Sequence, residues 1–202
     1  MSEQEVDHRK RRFLTNVTTG IGLVGTAFAA TPFVLSMVPS ARARAAGAPV
    51  EVDVGKLEDG QMLTVEWRGK PVWIVKRTPE MLAGLQQDVS LLADPDSKVA
   101  TQQPAYAQNP VRSIKPELLV LVGVCTHLGC SPLAKLDSGP VSGVGDDWPG
   151  GFFCPCHGSK FDLAGRVFKG VPAPTNLVVP PYSYISDTRV VIGTDKDNKG
   201  VA

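Results

Sequence analysis

Two short loops decide how this chain reads: Cys125-Thr126-His127-Leu128-Gly129-Cys130 and Cys154-Pro155-Cys156-His157-Gly158-Ser159. Between them they hold all 4 cysteines and two of the 3 histidines of a 202-residue chain. Each loop supplies one Cys-x-His or Cys-x-x-His pair and a further cysteine, so thiolate and imidazole donors share a single turn of backbone. The remaining histidine, His8, lies in a charged flank near the N-terminus and reads as a solvated residue. Clustering of this kind favours a site over a disulfide framework.

Three arrangements could use these residues. Two structural disulfides with the histidines as bystanders suit an oxidising compartment, but leave unexplained why both histidines sit at ligand spacing and why glycines flank them. A tetrahedral zinc site would take two thiolates and two imidazoles and leave two cysteines over. An iron-sulfur cluster with mixed ligands would engage both loops face to face, bringing the spare cysteines within bonding range.

The surroundings narrow the function class. The formal net charge of +1, from 21 basic and 20 acidic side chains, carries no footprint of nucleic-acid binding. Four basic residues, Arg9 to Arg12, precede a stretch with no charge until Arg42. Leu14 to Val38, as a helix, would reach about 37 Å, enough to cross a hydrocarbon core of about 30 Å, with Pro32 as a possible kink. A cleaved export signal ending near Ala41 to Ala45 is the competing reading. The bias of four basic residues before the segment against two after it places residues 1–13 in the cytoplasm and the rest outside. Lys10-Arg11-Arg12-Phe13-Leu14 also resembles a twin-arginine signal, a route for proteins already folded around a cofactor. Pro39 to Pro49 reads as a flexible tether.

From residue 50 to 202 the chain reads as one head. Val50 to Val54, Met62 to Trp67 and Val72 to Lys76 are short runs of strand formers, the last two joined across Arg68-Gly69-Lys70. Thr78-Pro79-Glu80 predicts a short helix to about Gln87. A polar, proline-bearing excursion to Pro116 follows as an insertion. Leu118 to Val124 runs into the first cysteine loop, and Tyr182 to Ile185 with Arg189 to Ile192 predicts a closing hairpin. The segment between the loops, Leu128 to Phe153, is 26 residues long and glycine-rich; it predicts a surface loop, since insertions cost little closure entropy.

The pair Cys-Thr-His-Leu-Gly-Cys and Cys-Pro-Cys-His-Gly-Ser resembles the Rieske iron-sulfur proteins of cytochrome bc1 complexes, and the likeness runs from the anchor to the final hairpin. The resemblance implies an all-β head of stacked antiparallel sheets with the cluster loops at its tip, over about residues 118–175, behind one N-terminal transmembrane helix. It implies a 2Fe-2S cluster with Cys125 and Cys154 on one iron, His127 and His157 on the other, and a Cys130–Cys156 disulfide. It further implies that His157 faces a quinol, and that Leu128 and Pro172 of the third loop, Gly170-Val171-Pro172-Ala173-Pro174, shield the cluster. Its implied partners are a cytochrome b subunit, a c-type cytochrome and quinol in the bacterial inner membrane, within a dimeric complex. The implied work is one-electron transfer from quinol to the cytochrome, with the small subunit of another exported oxidoreductase, such as arsenite oxidase, as the alternative. A soluble oxygenase ferredoxin would lack the anchor and the spare cysteines.

Mixed ligands suit that work. Four thiolates would bring an oxidised 2Fe-2S core of about +2 to −2, whereas two thiolates and two neutral imidazoles bring it to zero, which eases reduction into the range of about −150 to +300 mV. The outer nitrogen of each imidazole stays free to exchange a proton. One departure stands out. Respiratory relatives usually read Gly-Ser-x-Tyr after the second histidine, both hydroxyls donating to sulfur, whereas here Ser159 is kept and Phe161 cannot donate.

Overall fold

The computed structural model describes residues 7–195. Residues 1–6 of the expected cytoplasmic flank and 196–202 of the expected head lie outside the described residues. The chain divides into two compact units, 1–45 and 46–202.

The first unit is built on α1, His8–Ser36, a 29-residue helix with no buried residue. It starts six residues before the expected Leu14 because Asp7 caps it, its carboxylate accepting from the Arg9 and Lys10 backbone N–H groups at 3.0 and 3.1 Å. At 1.5 Å per residue this length reaches about 44 Å, and Pro32 lies inside it. The hydroxyls of Thr15, Thr26 and Thr31 donate to the carbonyls of Arg11, Gly22 and Ala27. Their polar atoms are thus satisfied within the helix, as an apolar surrounding requires. Within Pro39 to Pro49, read as a tether, Ala41–Ala46 forms a short helix, α2. Alanine's helix propensity accounts for it, with the Ser40 hydroxyl accepting from Ala43 N–H at 3.1 Å.

Among the described residues, the head is assembled from three antiparallel sheets of three strands each. In the first, β1 (Val50–Asp53) and β8 (Tyr182–Ser186) flank β9 (Arg189–Ile192). In the second, β3 (Lys70–Lys76) lies between β2 (Met62–Trp67) and β4 (Leu118–Val122). In the third, β6 (Gly151–Cys154) lies between β5 (Leu133–Lys135) and β7 (Ser159–Phe161). Between β3 and β4, α3 spans Pro79–Gln87, and 3₁₀ turns punctuate the insertion to Pro116.

The β2–β3 hairpin turns on two residues rather than three, because Trp67 pairs with Lys70. Arg68 and Gly69 both take positive φ, 52° and 71°, the handedness that matches the twist of a tight hairpin. Every residue of β4 is buried, which explains its uninterrupted Leu118-Leu119-Val120-Leu121-Val122 run: the strand has no solvent face. The third sheet has no counterpart among the expected strands. Its members are three or four residues long, too short for an alternation to register.

The third sheet joins the second through Phe152 of β6, stacked on Trp73 of β3 with centroids 5.0 Å apart and planes 14° from parallel. Gly123, the first residue beyond β4, passes so close to the Trp73 indole that a Cβ there would overlap the ring. That contact holds the chain two residues before the first cysteine.

Where strands are short, side chains replace the backbone ladder. Arg77 and Arg112 are almost wholly buried. Arg77 donates to the carbonyls of Val111, Leu163 and Pro116, and Arg112 to those of Ala164, Gly165, Gln102 and Leu177. Arg166 pairs with Asp162 at 2.7 Å and donates to the Leu85 carbonyl. Burial pulls Arg77 and Arg112 down to about 10, the nearby Asp162 carboxylate acting in the opposite sense. Both therefore stay charged at neutral pH. Their five-donor forks satisfy loop carbonyls that have no strand partner.

Adding one methyl beneath the indole tests the Trp73 contact. Gly123→Ala should lower unfolding stability by about 1–3 kcal/mol through overpacking, read as a fall in the thermal midpoint of the full chain. An unchanged midpoint would mean that the ring can move aside.

Candidate metal centre

The two cysteine loops are built alike. In the first, Gly129 N–H donates to the Cys125 carbonyl at 3.0 Å; in the second, Gly158 N–H donates to the Cys154 carbonyl at 2.9 Å. Both glycines take positive φ, 83° and 77°, a region that costs glycine nothing, and each closes its loop four residues after the cysteine. Cys125 N–H also donates to the Cys130 carbonyl at 2.7 Å, folding the first loop back on itself. The second loop is a hairpin end, since Cys154 and Ser159 pair across β6 and β7.

The structure brings all six loop residues together. Cys130 and Cys156 form a disulfide spanning 26 residues of sequence. The Cys154 sulfur lies within 4.8 Å of both sulfurs of that bridge. Cys125 and Cys154 are free thiols and buried, and the two interact directly. The rings of His127 and His157 meet edge to face, centroids 4.8 Å apart, with His127 partly buried and His157 exposed. Sulfur donors thus lie inside and nitrogen donors outside. Leu128, 71% exposed, projects beside them.

Burial pushes the Cys125 thiol up, and neighbouring Cys154 adds to this. The His127 backbone N–H and the Ser159 hydroxyl, both donating to the sulfur, act in the opposite direction. The same Ser159 oxygen accepts from Ala173 N–H at 3.1 Å, so one buried hydroxyl ties the second loop to the first and to the proline-rich third. A residue that the sequence reading passed over completes the clasp: Thr126 donates to the Thr175 carbonyl at 2.7 Å. A threonine between two donors carries no sequence signal for that role. Pro172 is exposed on the third loop, and Phe161 is fully buried, paired with Phe152.

The segment from Leu128 to Phe153 differs from the open surface loop expected. It contains β5, a 3₁₀ turn at Pro140–Ser142 and a buried Trp148. Trp148 Nε1–H donates to the Lys135 carbonyl at 2.8 Å, and the Trp148 carbonyl accepts from Gly139 N–H at 2.7 Å. One large side chain outweighs the freedom that the glycines suggested.

Residues 49–183 match the Rieske [2Fe-2S] domain family. Residues 1–40 match a family described as "Ubiquitinol-cytochrome C reductase Fe-S subunit TAT signal". The chain is 60% identical over 196 residues to the ubiquinol-cytochrome c reductase iron-sulfur subunit of Allochromatium vinosum, covering 97% of this chain and 94% of that one. The chain belongs to the Rieske iron-sulfur subunits of ubiquinol-cytochrome c reductase. The corresponding subunit of Blastochloris viridis is 42% identical over 193 residues, covering 95% and 97% of the two chains. Among solved structures, a chain of a hyperthermophilic respiratory Complex III is 26% identical and covers 87% of this chain and 98% of its own length, with a TM-score of 0.47.

The cofactor of this family is a 2Fe-2S cluster, and the donors present fit it. Two buried sulfurs side by side and two imidazoles nearer the surface match a cluster with unlike irons better than a symmetric four-sulfur site, and the remaining cysteines are already bonded to each other.

A hydrogen bond to a ligand sulfur favours the reduced cluster, which carries more negative charge. A bond to a charged group contributes about 1.5–3 kcal/mol, and about 1.4 kcal/mol corresponds to 59 mV for one electron. Ser159→Ala should therefore lower the midpoint potential by tens of millivolts. Phe161→Tyr, which restores a donor, should raise it by a similar amount. Redox titration followed by electron paramagnetic resonance checks both, and an unchanged or lower value for Phe161→Tyr would show that the ring only packs.

Proposed function

We propose that Cys125 and Cys154 hold one iron and His127 and His157 the other, and that the head carries single electrons from quinol at a cytochrome b subunit to a c-type cytochrome. The observation that carries the reading is the sorting of donors: two thiols in the buried interior, two imidazoles at the surface, and a disulfide clasping the loops between them. When bound, the cluster supplies a site that takes up and returns one electron.

The chain's own residues do the rest. The buried cysteines anchor the metal and keep water from it. His157, the more exposed imidazole, meets quinol as an acceptor at its outer ring nitrogen and takes the quinol's proton there as the site becomes more negative. His127 is its less exposed neighbour. Leu128 and Pro172 present apolar surface on either side, a seat for the quinone ring. Ser159 holds the third loop against the first two.

Residues 14–38 serve as the anchor, with 1–13 cytoplasmic, 39–49 as tether and the head from residue 50 on the periplasmic side of a bacterial inner membrane. The match of residues 1–40 to a twin-arginine signal family supports export of a head already folded around its cluster. A tethered head samples donor and acceptor at high effective concentration while its anchor stays fixed.

Purified with its membrane complex, the chain should contain iron and acid-labile sulfide at two each and give the electron paramagnetic resonance spectrum of a reduced Rieske centre. Cys154→Ser and His157→Ala should each abolish that spectrum, whereas Lys56→Ala, on the exposed surface, should leave it unchanged. Zinc, or no metal, in the purified complex would overturn the assignment.

A further inference from the structure

Two depressions of about 290 and 520 Å³ lie side by side on one flank of the head and share Leu91, Lys160 and Phe168. The larger reaches Gly158, next to His157, and Gly170-Val171 of the third loop, so one end of the joint groove is continuous with the tip. The smaller ends against Asp146, Asp147 and Trp148. The long segment between the cysteine loops is therefore one wall of this groove. Trp148 fixes that wall from within, its ring 6.1 Å from Phe168 on the floor. The opposite rim carries Leu91, which is 53% exposed.

Charge is sorted along the groove. Lys169 lines the part nearer the tip, Lys160 the middle that both depressions share, and Asp146 and Asp147 the far end. Lys169 donates to the Ser90 carbonyl at 2.9 Å. Among the described residues neither lysine has a carboxylate partner.

We propose that this groove docks an acidic segment of the electron acceptor, the c-type cytochrome. The inference rests on the electron-transfer reading above and names the surface that serves its second half. A protein that takes an electron at the tip must press against His157, and its surface then overhangs the flank that begins at Gly158. A carboxylate on that overhang settles beside Lys160 and Lys169 and is repelled by Asp146 and Asp147, so one orientation is favoured. Phe168, Val171 and Leu91 add apolar contact, enough for a transient encounter rather than a permanent one. The quinol side makes a different demand. Leu128 and Pro172 are apolar and lie on the tip itself, whereas the lysines stand back from it on the flank.

The test uses the intact complex with Lys160→Glu and Lys169→Glu combined. Rapid kinetics read separately the reduction of the cluster by quinol and its oxidation by the c-type haem, with midpoint potentials measured so that rates are compared at equal driving force. Oxidation by the haem should slow about tenfold at low ionic strength, and its dependence on added salt should flatten. Reduction by quinol should keep its rate. Lys160→Arg with Lys169→Arg should retain both rates, and Lys169→Glu alone, at an exposed position, should give a smaller loss of the same kind. An unchanged haem-oxidation rate overturns the proposal, as does a loss confined to the quinol step, which would assign the groove to the cytochrome b subunit. Failure of the underlying electron-transfer reading looks different: the unsubstituted complex would then lack the Rieske spectrum.

Discussion

Everything at the tip depends on two loops, far apart in sequence, being held face to face. Cys125 and Cys154 are useful as a pair only because the Cys130–Cys156 bridge and the Ser159 hydroxyl join the loops that carry them. A loop end has little apolar surface with which to hold itself, so covalent and hydrogen-bonded clasps do what packing does elsewhere. The third loop enters by the same logic, tied at Ala173 to one cysteine loop and at Thr175 to the other. The clasp also decides which donors face inward. Strand pairing of Cys154 with Ser159 sends the second loop's cysteine into the interior, while Cys156 and His157 turn outward.

That clasp needs rigid ground behind it. The Trp73–Phe152 stack and the tight passage of Gly123 couple the cysteine-bearing sheet to the fully buried β4 strand. Beyond these contacts the head is rich in irregular backbone, and its carbonyls are collected by Arg77, Arg112 and Arg166 near the buried carboxylate of Asp162. A buried guanidinium is expensive unless its donors are used; here each of the three finds carbonyls from segments remote in sequence, although Arg112 Nε itself has no partner among the described residues. The arginines thereby pin the insertion between β3 and β4 to the residues that follow β7.

Much of the architecture was legible beforehand because its signals are local. The hairpin strands, the helix starting at Pro79 and the buried β4 strand each announce themselves through β-branched runs, an N-terminal proline or a run without polar breaks. The small third sheet was not legible: Leu133–Lys135 and Ser159–Phe161 are three residues each, and such strands exist only because neighbours complete them. The buried arginines were equally silent, since a lone arginine in a polar stretch reads as solvated until tertiary contacts enclose it. The long segment misled in the other direction, its glycines suggesting mobility while Trp148 folds it down.

By itself the sequence determined the chemistry: the number, type and spacing of donors, the apolar helix before the head, and the absence of a hydroxyl at Phe161 are properties of residue identity. Only the tertiary structure decided which cysteines stay free and buried and which are bridged, how the two imidazoles come edge to face, and that the segment between the loops walls a charged groove beside the tip. These depend on distances between residues tens of positions apart. Such distances follow from strand pairing and from side-chain hydrogen bonds that close over the whole head, and no local pattern encodes them.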